Sequence, residues 1–183
     1  MRRWWTSDLH LTHGNIIGYC QRPFRDAEHM RASIVREFNQ RIKPEDAVVH
    51  IGDLGTRGRE RGVDGPRGSP MDALREFNGR WTLIEGNHDS GNRVKTVGSL
   101  LLGTLGPYRF VAHHTPMSND EVPMPVRDLC RSMDVCLCGH VHQHWRTQWL
   151  DGLLHINVGV DVNKFRPLDD SELIGIVDKE RRK

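Results

Sequence analysis

At 183 residues the chain falls within the range of one compact domain, and no Ser-, Pro- or Gly-rich linker divides it into two separately cored halves. Its 37% hydrophobic content supports a folded core, and 26 Lys and Arg against 24 Asp and Glu argue against both a disordered polyelectrolyte and a strong binder of phosphate backbones. No run reaches the ~18 apolar residues of a membrane span and the N-terminus lacks the apolar core of a secretory signal, so a cytoplasmic chain without a membrane partner is expected.

Along the chain the predicted unit is a short apolar strand running into a small polar cluster. Residues 3–7 are the first such strand and deliver Asp8 and His10. From 26 to 42, Met30, Ile34, Val35, Phe38 and Ile42 recur at helical spacing, with Asp26 as N-cap and Pro44 as the stop. A buried strand at 47–51 ends at Gly52-Asp53. The stretch 54–69, with Arg57, Arg59, Arg61 and Arg67 among glycines, cannot build a core and reads first as a solvated loop, second as a phosphate-steering lid. Ser69-Pro70 opens a helix that turns Leu74 and Phe77 inward before Gly79.

Strands predicted at 81–85, 109–112 and 135–138 then run into Gly86-Asn87-His88-Asp89, His113-His114 and Gly139-His140-Val141-His142. Residues 155–160 and 173–177 read as two further strands, and 178–183 as a frayed charged tail. Cys20, Cys130, Cys136 and Cys138 form no Cys-x-x-Cys pair and are expected as reduced thiols. A zinc site of Cys136, Cys138, His140 and His142 is disfavoured, because alternate residues of one strand point in parallel whereas a tetrahedral ion needs convergent ligands.

Five strand ends thus supply Asp, His and Asn. Each alone is weak, but in open α/β sheets the carboxyl ends of strands meet at one crevice. Carboxylates and imidazoles in that number suit divalent ions such as manganese, iron or zinc.

Asp8-x-His10, Gly52-Asp53, Gly86-Asn87-His88-Asp89, His114 and Gly139-His140-x-His142 occur in an order that resembles the calcineurin-like metallophosphoesterase superfamily. The stretches 6–13 and 157–161 resemble its small bacterial and phage phosphodiesterase members in particular. The resemblance implies an α/β fold, a four-layer αββα sandwich of two mixed β-sheets flanked by helices. It also implies two divalent ions, manganese first, with iron, zinc or nickel as alternatives. One would be held by Asp8, His10, Asp53 and His142, the other by Asp53, Asn87, His114 and His140, with Asp53 bridging. A carboxylate has the two oxygens and the charge to link cations roughly 3.5–4 Å apart. In this pattern the ions activate a water for in-line attack, His88 protonates the leaving oxygen, and Asp89 orients the His88 ring.

Adjacent His113 and His114 would face opposite sides of a strand, and the His-x-Pro pattern at 114–116 favours His114 as the ligand. His13 and Arg22-Pro23-Phe24 are open between pocket and loop roles. The Ser/Thr protein phosphatase branch carries Glu, and an Arg that clamps the substrate, where this chain has Asp89 and Gly91. Without that bidentate clamp a doubly charged monoester is poorly held, so small phosphodiesters of nucleotide or cyclic-nucleotide type are the expected substrates, with nucleic acid a partner only as substrate. The alternatives are a phosphomonoesterase or nuclease using the same metals, and a non-enzymatic scaffold, against which the complete ligand set argues.

Overall fold

Two adjacent tryptophans show how the layers are built. In β1 (Arg3–Thr6) successive side chains point to opposite faces, so Trp5 enters one core and Trp4 another. The same division runs through β2 (Ala47–Ile51), with Val49 and Ile51 beside Trp5 and Val48 beside Trp4, and through β3 (Arg80–Ile84), with Ile84 and Leu83. The computed structural model describes residues 1–56, 69–117 and 124–183, so the expected Gly/Arg-rich loop lies outside it from 57 to 68.

β1 and β2 pair in parallel, as do β2 and β3, and β9 (Leu168–Asp169) adds an antiparallel edge, giving the order β3-β2-β1-β9. The second sheet has the order β4-β5-β6-β8-β7, built from β4 (Leu100–Leu105), β5 (Tyr108–His113), β6 (Val135–Cys138), β7 (Thr147–Leu150) and β8 (Leu153–Asn157). Its central strands β5, β6 and β8 are parallel and both its edges antiparallel. Phe110, Ala112, Val135, Leu137, Leu154 and Ile156 meet the Trp5 side of the first sheet, and Phe110 packs edge-on to Trp5 with ring centroids 5.0 Å apart.

Helices cover the outer faces. α1 (Ile16–Tyr19) is a single turn; α2 (Ala27–Asn39) is capped by Asp26, whose side chain accepts the His29 N–H at 2.7 Å. Met30, Ile34 and Phe38 of α2 share the core of Trp4, Val48 and Leu83. α3 (Pro70–Leu74) starts at a Ser69–Asp72 capping box with Pro70 in its first turn; it stops short of the predicted Gly79, although Phe77 still packs inward. On the second sheet's outer face, Val111, Cys136 and Cys138 pack with Cys130 of α4 (Met124–Cys130). The sandwich of two mixed sheets between helices is the architecture the sequence resemblance implied.

One expected strand is a helix. Residues 173–177 lie in α5 (Asp170–Glu180), which also takes in the first half of the tail expected to fray. Asp169 accepts the Glu172 N–H at 2.9 Å and Glu172 returns the bond to the Asp169 N–H, a capping box that outweighs the strand-like composition of Leu-Ile-Gly-Ile-Val. Leu173 and Val177, four apart, bury in the inter-sheet core. Among the described residues no helix is long and apolar enough to cross a membrane.

Asp46 ties the first residues of the chain to the α2–β2 turn. It accepts the Arg2 N–H at 2.7 Å, the Trp4 indole at 3.1 Å and the Lys43 N–H at 3.1 Å. The Arg2 N–H foremost, with those other donors and against the push of burial, brings its carboxyl down to about 2 from 3.8. A depressed folded pKa means that its contribution is whole above the ordinary value and is lost as pH falls through about 2. Asp46→Asn should therefore lower stability by about 2 kcal/mol, about 4–8 °C in Tm. Thermal melts across pH should show that gap closing between about pH 4 and 2.

Candidate metal centre

Six parallel strands, β1, β2 and β3 in one sheet and β5, β6 and β8 in the other, send their carboxyl ends to one edge. There Ser7, just past β1, bridges in parallel to Gly159, just past β8, and so joins the two sheets at the floor of a crevice. The backbone tightens at this edge. Among the described residues ten non-glycines have positive φ, and five of them are Asp8 (57°), His10 (49°), Asp53 (62°), His140 (69°) and His142 (45°). Such geometry costs on the order of 1 kcal/mol or more per residue and persists where the surroundings impose it, as at functional sites. Here it turns five side chains inward at once.

Asp53 occupies the middle. Its Oδ2 lies 3.6 Å from His10 Nε2 and 3.3 Å from His114 Nε2, while its Oδ1 accepts the His88 N–H at 2.9 Å. Beyond His114, the Asn87 side-chain oxygen is 3.0 Å from His114 Nε2 and 3.1 Å from His140 Nδ1. On the other side, ligand atoms of Asp8, His10 and His142 lie within 4.8 Å of one another, as do those of Asp8, Asp53 and His114. All seven residues expected as metal ligands are therefore in one crevice. Of the adjacent histidines, His114 is the one that enters it. His113 turns back to its own loop, with Nδ1 2.8 Å from the Thr115 carbonyl.

Two features test whether cations suit this set. Among the described residues the buried His10 Nε2 has no hydrogen-bond partner, although it points at a carboxylate oxygen 3.6 Å away. Such an orphaned nitrogen is costly unless something absent from the protein chain satisfies it. The electrostatics agree. Burial alone would lower the His114 pKa, yet the Asp53 hydrogen bond and the charges of Asp8 and Asp53 push it up to about 9. Burial likewise opposes charge on His142, but contacts with Asp161 and Cys20 and the charge of Asp8 push it up to about 10. Asp53 itself stays well below the usual carboxylate range: burial works the other way, and His114 and His10 outweigh it. Protons thus collect where divalent ions would displace them, and the donor set fits the ions it is expected to hold.

Glycines let the walls close in. A Cβ on Gly139 would lie 1.9 Å from Ser7 Oγ and 2.4 Å from Asp8 Oδ2, and one on Gly86 2.3 Å from Asp53 Oδ1.

Asp89 does not orient His88, contrary to the expectation above. Its carboxylate is 1% exposed and accepts the N–H groups of Asp53 and Gly86 at 2.8 Å each and of Leu54 at 3.0 Å. Those bonds clamp the loop after β3 to the loop after β2, so Asp89 places Asp53. The His88 ring instead packs against His10 and His13, with centroids 5.4 and 5.8 Å apart, and lines a cavity of about 290 Å³ together with His140, His142 and Tyr19.

Three residues outside the expected ligand set support it. Arg22, fully buried, donates through Nε and Nη2 to both oxygens of Asp161 at 2.8 and 2.9 Å, and also to the carbonyls of Asp8 at 2.8 Å and Leu9 at 3.2 Å. Asp161 in turn lies 2.9 Å from His142 Nδ1. A carboxylate behind a metal-facing imidazole fixes its tautomer and tilt. On the other flank, His13 Nδ1 is 3.1 Å from His10 Nδ1. Cys136 and Cys138 lie on the far face of the second sheet, in the core with α4, and form no metal-capable group with His140 and His142 among the described residues. All four cysteines are free thiols.

The model of the calcineurin-like phosphoesterase superfamily domain matches residues 1–173. An uncharacterized protein of Methanocaldococcus jannaschii is 25% identical over 181 residues, which cover 94% of this chain and 89% of that protein. The crystal structure of a protein of unknown function from Aquifex aeolicus superposes with a TM-score of 0.68 at 21% identity, covering 96% of this chain and 98% of that one. A structure described as a novel archaeal phosphodiesterase gives 0.46 at 16% identity, over 92% and 98% of the two chains.

Proposed function

The chain belongs to the calcineurin-like phosphoesterase superfamily and is read as a metal-dependent phosphoesterase; from that premise we propose that it hydrolyses small phosphodiesters of nucleotide or cyclic-nucleotide type. Asp8, His10, Asp53 and His142 would hold one divalent ion, and Asp53, Asn87, His114 and His140 a second. The observation that carries this reading is the position of Asp53 Oδ2 between His10 Nε2 at 3.6 Å and His114 Nε2 at 3.3 Å. One carboxylate there belongs to both halves of the ligand set.

When bound, the ions supply Lewis acidity toward phosphoryl oxygens and a nucleophilic water at neutral pH. The chain's own residues do the rest. Asp53, anchored by the His88 N–H and by the Asp89 clamp, keeps both ligand groups in register. His88 faces the cavity and would give its ring proton to the leaving oxygen as the ester bond breaks. His13 would steady His10 from behind.

The preference for a diester rests on charge. Among the described residues the cavity is lined by histidines, Gln143, Tyr19, Cys20 and Ile16, with no Arg or Lys. Gly91 is exposed where the protein phosphatase branch has its clamp, and the nearby Arg93 is also exposed. A singly charged diester needs less countercharge than a doubly charged monoester. The test pairs a chromogenic bis-aryl phosphate with its mono-aryl counterpart, both with manganese. Turnover of the diester should be faster by at least about tenfold, a difference of about 1.4 kcal/mol in barrier. Faster monoester turnover would make the protein a phosphomonoesterase, and turnover of neither with any transition metal would favour a scaffold.

A further inference from the structure

Beside the crevice a third group of ligand atoms converges, and it contains a thiol. Ligand atoms of Cys20, His142 and Asp161 all lie within 4.8 Å of one another. The three come from separate elements. Cys20 caps the C-terminus of α1, His142 follows β6, and Asp161 sits in a short 3-10 turn after β8. Gln21, with φ of 51°, turns the chain sharply between Cys20, which lines the cavity, and Arg22, which goes under it.

We infer that Cys20, His142 and Asp161 form a cation site of their own, beside the proposed dinuclear pair, for a thiophilic divalent ion such as zinc or cobalt(II). It rests on the dinuclear reading only in that His142 is common to both groups. The donors are one sulfur, one imidazole nitrogen and one carboxylate oxygen, a mixture that zinc accepts with three protein ligands and an open fourth position. A tetrahedral ion with bonds of about 2.0–2.3 Å sets its ligand atoms about 3.5 Å apart. His142 Nδ1 and Asp161 Oδ2 already stand 2.9 Å apart, so the group needs an adjustment on the order of 1 Å to close on an ion. Charge permits it: thiolate and carboxylate bring two negative charges against the one positive charge of Arg22. Access is provided by the cavity that Cys20 and His142 line with His10 and His88.

The consequence is discrimination between metals. A thiolate draws zinc or cobalt far more strongly than manganese, which prefers oxygen donors. An ion here would take His142 Nδ1, the nitrogen that now faces Asp161, and would so displace the carboxylate that steadies the imidazole toward the ion beside Asp8 and His10.

The full-length protein, stripped with a chelator and titrated with cobalt(II) chloride, gives a direct readout by absorption. Ligand-field bands in the visible report cobalt on any nitrogen and oxygen ligands, whereas a near-ultraviolet thiolate-to-cobalt charge-transfer band reports sulfur. Wild type should show both, and Cys20→Ser should lose the charge-transfer band while keeping the visible bands. Visible bands alone in the wild type would overturn this inference and leave the dinuclear reading standing. A charge-transfer band that survives in Cys20→Ser would also overturn it, by moving the ligand to another cysteine. Absence of every cobalt band would overturn both.

Discussion

Asp53→Asn should leave the protein folded and remove its capacity to hold two ions. The substitution is nearly isosteric, and asparagine is among the residues that best tolerate the left-handed backbone that Asp53 adopts at φ 62°. An amide oxygen can still accept the His88 N–H now bonded to Oδ1. The atom lost is Oδ2, the one between His10 and His114, and with it the negative charge that lowers repulsion between paired cations. Calorimetric titration with manganese should fall from two strong equivalents to at most one. Turnover should drop at least about a thousandfold, equivalent to about 4 kcal/mol of transition-state stabilisation, which is within what bound ions contribute. The His114 pKa, pushed up to about 9 in large part by Asp53, should fall in the metal-free variant, which proton NMR of the imidazole would register. Two ions bound with near wild-type turnover would sink the bridging role.

Much of this crevice could be read from the sequence, because its parts obey local rules. The strands at 47–51 and 135–138 have the bounds expected of them, and Asp26 caps α2 as its side-chain type suggests. Each apolar run stops where a polar cluster starts, so the cluster must lie at a strand end, and parallel pairing brings those ends together. What escaped depends on partners far off in sequence or on ambiguous periodicity. Residues 173–177 are apolar and short enough to suit either a strand or a buried helix turn, and a cap four residues upstream decides the matter. β4 and β7 have almost wholly half-exposed or exposed side chains that blur alternation, and β9 is two residues long. Asp89 stands beside His88 in the chain, which suggested a role in orienting it. The fold instead spends its oxygens on amides of the loop after β2, 35 and 36 positions away. Arg22 meets Asp161 across 139 positions, and nothing in a loop reading of Arg-Pro-Phe announces a buried guanidinium. Only the Asp closing the 157–161 stretch offered a signal, and no local rule gave it a partner.

That distant pair carries the second large effect. Arg22→Met removes a fully buried guanidinium and leaves the Asp161 carboxylate, 3% exposed, with only the His142 imidazole beside it in place of the bidentate Arg22. Breaking one partner of a buried ion pair costs about 3–5 kcal/mol, because the remaining charge is stranded. The loss reaches the metal side as well. The Asp8 and Leu9 carbonyls, between the left-handed residues Asp8 and His10, lose their donors, and Asp161 loses the anchor that aims it at His142. Manganese affinity should fall by about 10–100-fold, the usual cost of removing support behind a ligand. Adding Asp161→Asn to Arg22→Met separates the two routes. If the stranded charge dominates, the double variant unfolds at higher denaturant than Arg22→Met alone, and the coupling between the two positions exceeds about 1 kcal/mol. A double variant no more stable than Arg22→Met would assign the guanidinium's effect to the Asp8 and Leu9 carbonyls. In that case Arg22 shapes the crevice through the β1 loop, and the tilt of His142 is set without it.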